Sequence, residues 1–319
     1  MSVSLERFGL AVGHATDAAG GTGCTVVRGV SAPHRAAVAV LGRATGSREL
    51  ALLEPGHTVE RVDAVLLTGG SAYGLDAAAG VMRWMEERRR GFPVGPGVVP
   101  IVPAAVLFDL APLGSFIARP TPEMAYNACE SATSSGVAEG SVGAGTGLTV
   151  GKMRGVAGAM KGGIGVAVAE GAGCAAAAIV AVNAFGDIRG EDGKILAGAR
   201  DDAGAFIDTE RAVAQGMKPG GFIAANTTLA VIALDAAFSR VELQQIAHAA
   251  TAAYHRRITP SGTAADGDIV FALAPMEGPS ASLAQAEMLA VQALDAAILR
   301  AVRLAKGRDG TPGLADQPR

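Results

Sequence analysis

The stretch Phe222–Asp235 sets the tightest limit on how this chain folds. An apolar run, Phe222-Ile-Ala-Ala225, meets a polar triplet, Asn226-Thr227-Thr228, and then resumes as Leu229-Ala-Val-Ile-Ala-Leu234. Both runs are apolar enough to be buried strands. A polar triplet between them is costly unless its groups are hydrogen-bonded. Two readings are open. In the first, the triplet is a loop whose threonine hydroxyls are satisfied by nearby backbone. In the second, Asn226–Thr227 is a scissile bond: the Thr227 hydroxyl attacks the preceding carbonyl, cuts the chain and becomes an N-terminal nucleophile. Taken alone, the stretch reads as the loop.

Length and composition leave room for a substantial core. The chain has 319 residues, half of them hydrophobic, with 44 glycines and only 4% aromatics. Such a core is built from Ala, Val, Leu, Ile and Gly, with close backbone approach and few bulky anchors. Net charge is −3, and the one basic run, Arg88-Arg89-Arg90, follows Glu86 and Glu87. This argues against nucleic acid as a partner. Cys24, Cys129 and Cys174 are far apart with no C-x-x-C, which indicates neither a disulfide framework nor a cysteine zinc site. Met1-Ser-Val-Ser-Leu-Glu-Arg7 lacks a signal-peptide pattern. Apolar runs such as Cys174 to Val182 are too short to span a bilayer. A cytoplasmic setting with no membrane contact is therefore expected.

Along the chain, Phe8–Val12, Ala36–Leu41 and Val62–Leu67 read as strands, and His14–Gly23 as a turn-rich loop leading to Cys24-Thr-Val-Val27. Thr68-Gly-Gly-Ser-Ala-Tyr-Gly-Leu75 is a glycine-rich turn before a helix predicted over Leu75–Arg90. Such a turn either binds an anion through its N–H groups or serves tight packing. Val98–Val102 and Ala104–Asp109 are strand-like, and Pro122–Ser134 carries helix signals. Gly140–Met153 superficially resembles a phosphate-binding loop. It fails the spacing, because Thr146 stands where a glycine is needed and Met153 where Ser or Thr would touch magnesium.

Gly163–Ala169 and Ala175–Val182 read as adjacent strands, and Asn183 closes the second. Residues 189–220 are expected to form a long surface excursion. Ser239–Arg256 is an amphipathic helix with Ser239 and Glu242 in a capping box. Ile258–Ala265 reads as a loop, Ile269–Leu273 as a strand, Ser282–Leu304 as a long helix, and the tail from Lys306 to Arg319 as flexible. Nothing marks an internal boundary, so residues 1–305 are expected to form one domain.

Familiar catalytic patterns are missing. There is no G-x-S-x-G elbow. His248 and His255 are seven apart on the predicted helix, without the i, i+4 spacing of a metal pair. His14 is tied to no site. Asp266-Gly267-Asp268 is more telling. Two carboxylates one residue apart at a strand start point the same way. Their repulsion raises one pKa unless a cation or N–H groups compensate. Alone, such a triplet reads as a capping turn. Lys152 is the only lysine before Met160 and lies in an otherwise apolar, glycine-rich segment. A buried lysine needs a carboxylate partner, and one of these aspartates can supply it.

Five segments in unbroken order carry a resemblance over about residues 8 to 300. They are Gly9-Leu-Ala-Val-Gly-His14 with Gly21-Thr-Gly-Cys-Thr-Val-Val27; Thr68–Leu75; Gly143-Ala-Gly-Thr-Gly-Leu-Thr-Val-Gly-Lys152; Ala225-Asn-Thr-Thr228; and Asp266-Gly-Asp268. Together they resemble the P1 family of self-processing N-terminal-nucleophile peptidases and amidases. That group contains the L-aminopeptidase/D-esterase, the β-peptidyl aminopeptidases and the nylon-oligomer endo-hydrolase. Ala225-Asn-Thr-Thr228 and Asp266-Gly-Asp268 are most similar to the last branch.

The resemblance implies an α/β (α+β) fold, a four-layer αββα sandwich shared with the ornithine acetyltransferases. It implies autocleavage at Asn226–Thr227 into an α-chain 1–226 and a β-chain 227–319 that stay associated, commonly in a tetramer of processed units. It also implies roles. Thr227 is the nucleophile and its freed α-amine the base, since a chain-terminal amine ordinarily titrates at about 8. Lys152 favours the Thr227 alkoxide, Asp266 and Asp268 orient Lys152 and the amine, and Asn183 helps hold the oxyanion. Tyr73 has either a structural or a substrate-lining role, and Phe108 lines the substrate site where some members carry a hydroxyl-bearing Tyr. The expected reaction is hydrolysis of a small peptide, an amino-acid amide or ester, or an amino-acid oligomer, without metal or cofactor. An acyltransferase using the same nucleophile and an inactive homologue are the alternatives.

Overall fold

The computed structural model of the chain describes residues 3–111, 113–220 and 226–316. The first apolar run of the opening stretch, 222–225, lies outside the described residues. Among the described residues two sheets dominate. One has the strand order Leu10–Asp17, Thr22–Gly29, Ala64–Thr68, Ala104–Val106 and Ser47–Arg48. The other runs Ile164–Gly171, Cys174–Asn183, Thr227–Leu234, Ile269–Pro275, His34–Val40 and Arg61–Val62.

Three stacked cores hold the layers together. Val12, Val27, Val65 and Leu67 of the first sheet interleave with Val38, Ile179, Leu229 and Phe271 of the second. Outside the first sheet, the helices Ala78–Glu87 and Pro122–Glu130 pack on it through Val81, Trp84, Met85, Ala125 and Ala128. Outside the second, Arg240–Ala250, Ala252–Arg257 and Leu283–Arg303 pack through Leu243, Ile246, Tyr254, Leu294 and Ile298. The order is helix, sheet, sheet, helix, as expected from the resemblance.

This layering explains the continuous apolar runs. Every residue of Cys174–Asn183 and Thr227–Leu234 is buried. Alternate side chains enter different cores: Ala178, Val180, Ala230 and Ile232 face the helices, whereas Ile179, Ala181, Leu229 and Val231 face the other sheet. A strand covered on both faces loses the apolar–polar alternation of a half-exposed one. Small residues let the layers close up. A Cβ at Gly165 would lie 1.9 Å from the Ala297 carbonyl oxygen, so the long helix rides directly against that strand.

Several expectations need correcting. His14–Asp17 is strand rather than loop, because Leu10–Asp17 and Thr22–Gly29 form a hairpin around a tight turn at residues 18–21. The helix expected from Leu75 is 3-10 over Ser71–Ala77 and α only over Ala78–Glu87. The predicted helix 239–256 is divided at Thr251, whose hydroxyl donates to the His248 carbonyl; this local side-chain bond competes with the helix ladder. The excursion 189–220 is folded rather than loose. Buried Asp187 accepts from the Ala199 and Thr209 amides and the Thr209 hydroxyl, and a short helix forms over Thr209–Ala214. The tail is packed as far as Asp316: Arg308 donates to the Ala18, Ala19 and Leu113 carbonyls, and the Lys161 amide donates to the Pro312 carbonyl.

Tyr254 ties the helical layer to the two central strands. It is fully buried, with its hydroxyl 3.3 Å from the Thr228 carbonyl and 3.2 Å from that of Ile269. Tyr254→Phe leaves the ring's packing and removes this donor. In a Thr227→Ala background, urea denaturation is expected to show a loss of about 1 kcal/mol.

Candidate active site

Thr227 opens the strand Thr227–Leu234, and the antiparallel ladder sets it opposite Asn183, the last residue of its neighbour. On the other side the strand runs parallel to Ile269–Pro275, so Asp266-Gly267-Asp268 arrives alongside Asn226 and Thr228. Sheet topology thus brings together three segments far apart in sequence. The polar triplet is buried, with Thr227 only 6% exposed.

Its backbone is tied into bonds on both sides of the Thr227 hydroxyl, as burial requires. The Thr227 hydroxyl lies 2.6 Å from the Asn226 carbonyl oxygen. The same oxygen accepts the Gly267 amide at 2.9 Å. The Thr228 amide donates to Asp268 Oδ1 at 2.7 Å. The triplet is not a loop, since Thr227 and Thr228 open a strand and Asn226 bridges to Asp266; the Thr227 hydroxyl is nonetheless satisfied by backbone, and that backbone is the carbonyl it would attack.

Lys152 reaches the site at the end of the glycine-rich segment. Its amide donates to the Phe185 carbonyl, and the preceding Gly151 amide to that of Gly186. Thr149–Val150 pairs with Met160–Lys161. Buried Lys161 clamps the segment from inside, its Nζ 2.8 Å from both the Thr146 and Leu148 carbonyls. Lys152 Nζ then lies 2.8 Å from Asn183 Oδ1, which also accepts the Thr149 amide at 3.2 Å. Asn183 Nδ2 donates to the Phe108 carbonyl at 3.2 Å. Phe108 therefore joins the network through its backbone.

Burial dominates the electrostatics. Desolvation pulls Lys152 down to about 7, against the attraction of Asp266 and Asp268. Asp268 is pushed up to about 7, first by desolvation and then by the Asp266 charge, although the Thr228 and Gly262 amides favour its anion. Asp266 is raised by burial and opposed by its bonds to Thr263. An ammonium and two carboxylates out of water each lean toward neutrality. A lysine and an aspartate that both titrate near neutral pH are suited to moving a proton.

Of the residues singled out in the sequence, the structure gathers Lys152, Asn183, Asn226, Thr227, Asp266 and Asp268, with the Phe108 carbonyl beside them. Tyr73 stands at the surface, 56% exposed, with the Arg119 guanidinium 3.5 Å over its ring. The glycine-rich turn before it does receive an anion, one from its own chain. Asp109 accepts the Gly70 amide at 2.6 Å and the Thr22 hydroxyl at 2.7 Å, and burial pushes it up to about 6.

Sequence reasoning missed Lys161, Asp109 and Gly267. Gly267 had a signal, since it is the one position of its triplet without a side chain. A Cβ there would lie 2.7 Å from the Thr227 hydroxyl and 2.8 Å from the Ala44 carbonyl oxygen.

With this geometry in hand, comparison with known proteins is direct. An aminopeptidase of Mycobacterium tuberculosis (strain ATCC 25618 / H37Rv), described as uncharacterized, is 45% identical over 247 residues, covering 75% of this chain and 69% of that protein. A 6-aminohexanoate-oligomer endohydrolase of Kocuria sp. (strain KY2) is 31% identical over 270 residues, covering 83% of this chain and 72% of that protein. The L-aminopeptidase D-Ala-esterase/amidase of Ochrobactrum anthropi, a variant of the Ntn hydrolase fold, superposes with a TM-score of 0.68 at 21% identity, covering 95% of this chain and 86% of that one. The fold is thus that of an Ntn hydrolase. The profile described as Peptidase family S58 matches residues 8–314, and the chain belongs to that family of hydrolytic enzymes.

Proposed function

We propose that the chain cuts itself between Asn226 and Thr227, and that the new N-terminal threonine hydrolyses amide bonds of small peptides or amino-acid oligomers. The observation that carries this is the Thr227 hydroxyl set 2.6 Å from the carbonyl oxygen of the preceding residue, opposite Asn183, which holds a lysine pulled down to about 7. Membership of a peptidase family and similarity to an amino-acid-oligomer endohydrolase support it.

In the first reaction the Thr227 Oγ bonds to the Asn226 carbonyl carbon while its proton passes to neutral Lys152. Lys152, now an ammonium, faces Asp266 and Asp268. The C–N bond then breaks, the proton returns to the departing nitrogen, and an ester joins Asn226 to Thr227 Oγ. Water cleaves that ester, leaving the Asn226 carboxyl and a free Thr227. In the second reaction the α-amine of Thr227 is the general base; such amines ordinarily titrate at about 8, near enough to neutral to accept a proton. The amide group of Asn183, with two hydrogens on Nδ2, is the donor for the substrate oxyanion. The substrate's leaving amine takes the proton, and water releases the acyl group.

The two chains would remain together after cutting. The strands Thr227–Leu234 and Ile269–Pro275 of the second chain lie between Cys174–Asn183 and His34–Val40 of the first, hydrogen-bonded on both edges. Assembly of such processed units into a homo-oligomer, and Tyr73 lining the substrate entrance, belong to the same proposal.

Purified protein is expected to run as two bands under denaturing conditions, to elute as one species under native conditions, and to yield Thr227 on N-terminal sequencing. Thr227→Ala should remain full length and inactive on a panel of aminoacyl anilides and 6-aminohexanoate oligomers. A wild-type chain that stays intact would sink the proposal.

The rate of cutting should depend on pH with a definite sign. Neutral Lys152 and ionised Asp268 both predominate above about 7. Cutting should therefore slow as pH falls through that region, with one apparent pKa belonging to the coupled pair. Asn183→Asp sets a carboxylate beside Lys152 Nζ, favours the ammonium and should move this limb up by about one unit or more. The measurement is the rate of band conversion from pH 5 to 9.

Asp268 separates charge from hydrogen bonding. Asp268→Asn keeps an acceptor for the Thr228 amide, whereas Asp268→Ala leaves that buried N–H unpaired. Both should slow cutting. Only the alanine variant should lose stability, by about 1–3 kcal/mol in urea denaturation of the Thr227→Ala chain.

A further inference from the structure

We infer that the backbone amide of Gly267 is the oxyanion donor for self-cleavage, and that the Asp266–Gly267 peptide is held in place for that task. The inference rests on the proposed cut at Asn226–Thr227 and deepens it.

The geometry around this peptide has two sides. On one, the Gly267 N–H points to the Asn226 carbonyl oxygen at 2.9 Å. This is the oxygen that gains negative charge when Thr227 Oγ bonds to its carbon. On the other, the Asp266 carbonyl oxygen of the same peptide accepts two amides, from Arg43 at 2.9 Å and Ala44 at 3.0 Å. In a trans peptide the C=O and N–H point in opposite directions. The two donors on the Asp266 oxygen pull electron density away from the Gly267 nitrogen and make its N–H a stronger donor.

Two residues on, the Asp268 carbonyl is held in the same manner by the Leu41 and Gly42 amides, each at 3.0 Å. The peptide is thus fixed from the end of the strand His34–Val40 before any charge develops. A donor already aimed at the developing oxyanion needs no reorganisation during reaction.

The absent side chain points the same way. Gly267 does not have a left-handed backbone, so its φ does not call for glycine. Space does: a Cβ would lie 2.7 Å from the attacking hydroxyl. One residue therefore supplies the donor for the oxygen and the room for the nucleophile. Among the bonds described, the donor on the Asn226 oxygen besides the Thr227 hydroxyl is the Gly267 N–H, whereas Asn183 Oδ1 faces Lys152 and Thr149 and its Nδ2 donates to Phe108.

In the step itself the Oγ–C bond forms, the carbonyl π pair moves onto the Asn226 oxygen and is held there by the Gly267 N–H, and the hydroxyl proton goes to Lys152. Collapse of the oxyanion expels the Thr227 nitrogen, which takes that proton back. No other reactant is needed before water cleaves the ester.

The test removes one N–H and little else. Glycolic acid is placed at position 267 by cell-free translation, turning the peptide into an ester, and conversion of full-length chain to two bands is timed beside the unaltered chain made in the same way. Cutting is expected to slow about 10²–10³-fold, with circular dichroism matching that of the uncut Thr227→Ala chain. Cutting at the unaltered rate would overturn the inference while leaving the proposed cleavage intact. An unaltered chain that never cuts would remove both.

A second measurement does not depend on the ester folding. In the uncut Thr227→Ala chain, hydrogen exchange should find the Gly267 amide protected, and in the cut wild-type protein that protection should fall. Rapid exchange in the uncut chain would show that the N–H is not committed to the Asn226 oxygen and would equally overturn the inference.

Discussion

The ladder between Cys174–Asn183 and Thr227–Leu234 is the constraint on which the site depends. Its register sets Asn183 opposite Thr227, and through Asn183 Oδ1 it fixes Lys152. Side chains alternate along a strand, so a slip of one residue would turn Thr227 toward the other core and exchange the two apolar sets. The cores oppose such a slip. Ala178 and Val180 belong against the helices, and Ile179 and Ala181 against the second sheet. The many contacts that hold the layers also hold one hydroxyl in place.

Within that frame the charges are arranged at a cost in stability. Lys152, Asp266 and Asp268 would each be better solvated at the surface, and burial moves each toward its neutral form. Nearby N–H groups and opposite charges offset part of the penalty: Thr228 and Gly262 for Asp268, Thr263 for Asp266, and the carboxylates for Lys152. The remaining imbalance is what a proton-moving site requires, because groups with ordinary pKa values would stay locked in one state at neutral pH. Lys161 and Asp109 show the same chemistry without the same freedom. Each is buried, and each is occupied in holding backbone: two carbonyls for Lys161, and the Gly70 amide for Asp109.

The layered fold and the grouping of the site residues came from the resemblance, while the residue pattern made the separate strands and polar segments legible for identifiable reasons. Continuous apolar runs at Ala175–Val182 and Leu229–Leu234 read as buried strands, and both are strands covered on both faces. Asn226-Thr227, Lys152 and Asp266-Gly-Asp268 stood out because polar groups in apolar surroundings need partners. What the sequence did not show was backbone chemistry. Phe108 contributes a carbonyl and Gly267 an amide, and neither contribution depends on the side chain by which a residue is recognised. The folded excursion 189–220 was hidden for a related reason. Its organiser is the single buried carboxylate of Asp187, which in sequence looks like any turn aspartate.

The burial of Thr227 bears on what cutting accomplishes. Thr227 is only 6% exposed, and its hydroxyl is bonded to a carbonyl of its own chain. On the proposed reading, the uncut chain is its own first substrate. A later substrate must bring its carbonyl into the space that the Asn226 carbonyl occupies. Hydrolysis of the bond would free the Asn226 end to leave that space, while the strand carrying Thr227 is bonded on both edges. On that reading the nucleophile would be uncovered without being moved. A fold that must expose a buried group and keep its position can do so by breaking the chain at that group's own amide, with sheet pairing rather than chain connectivity holding what remains.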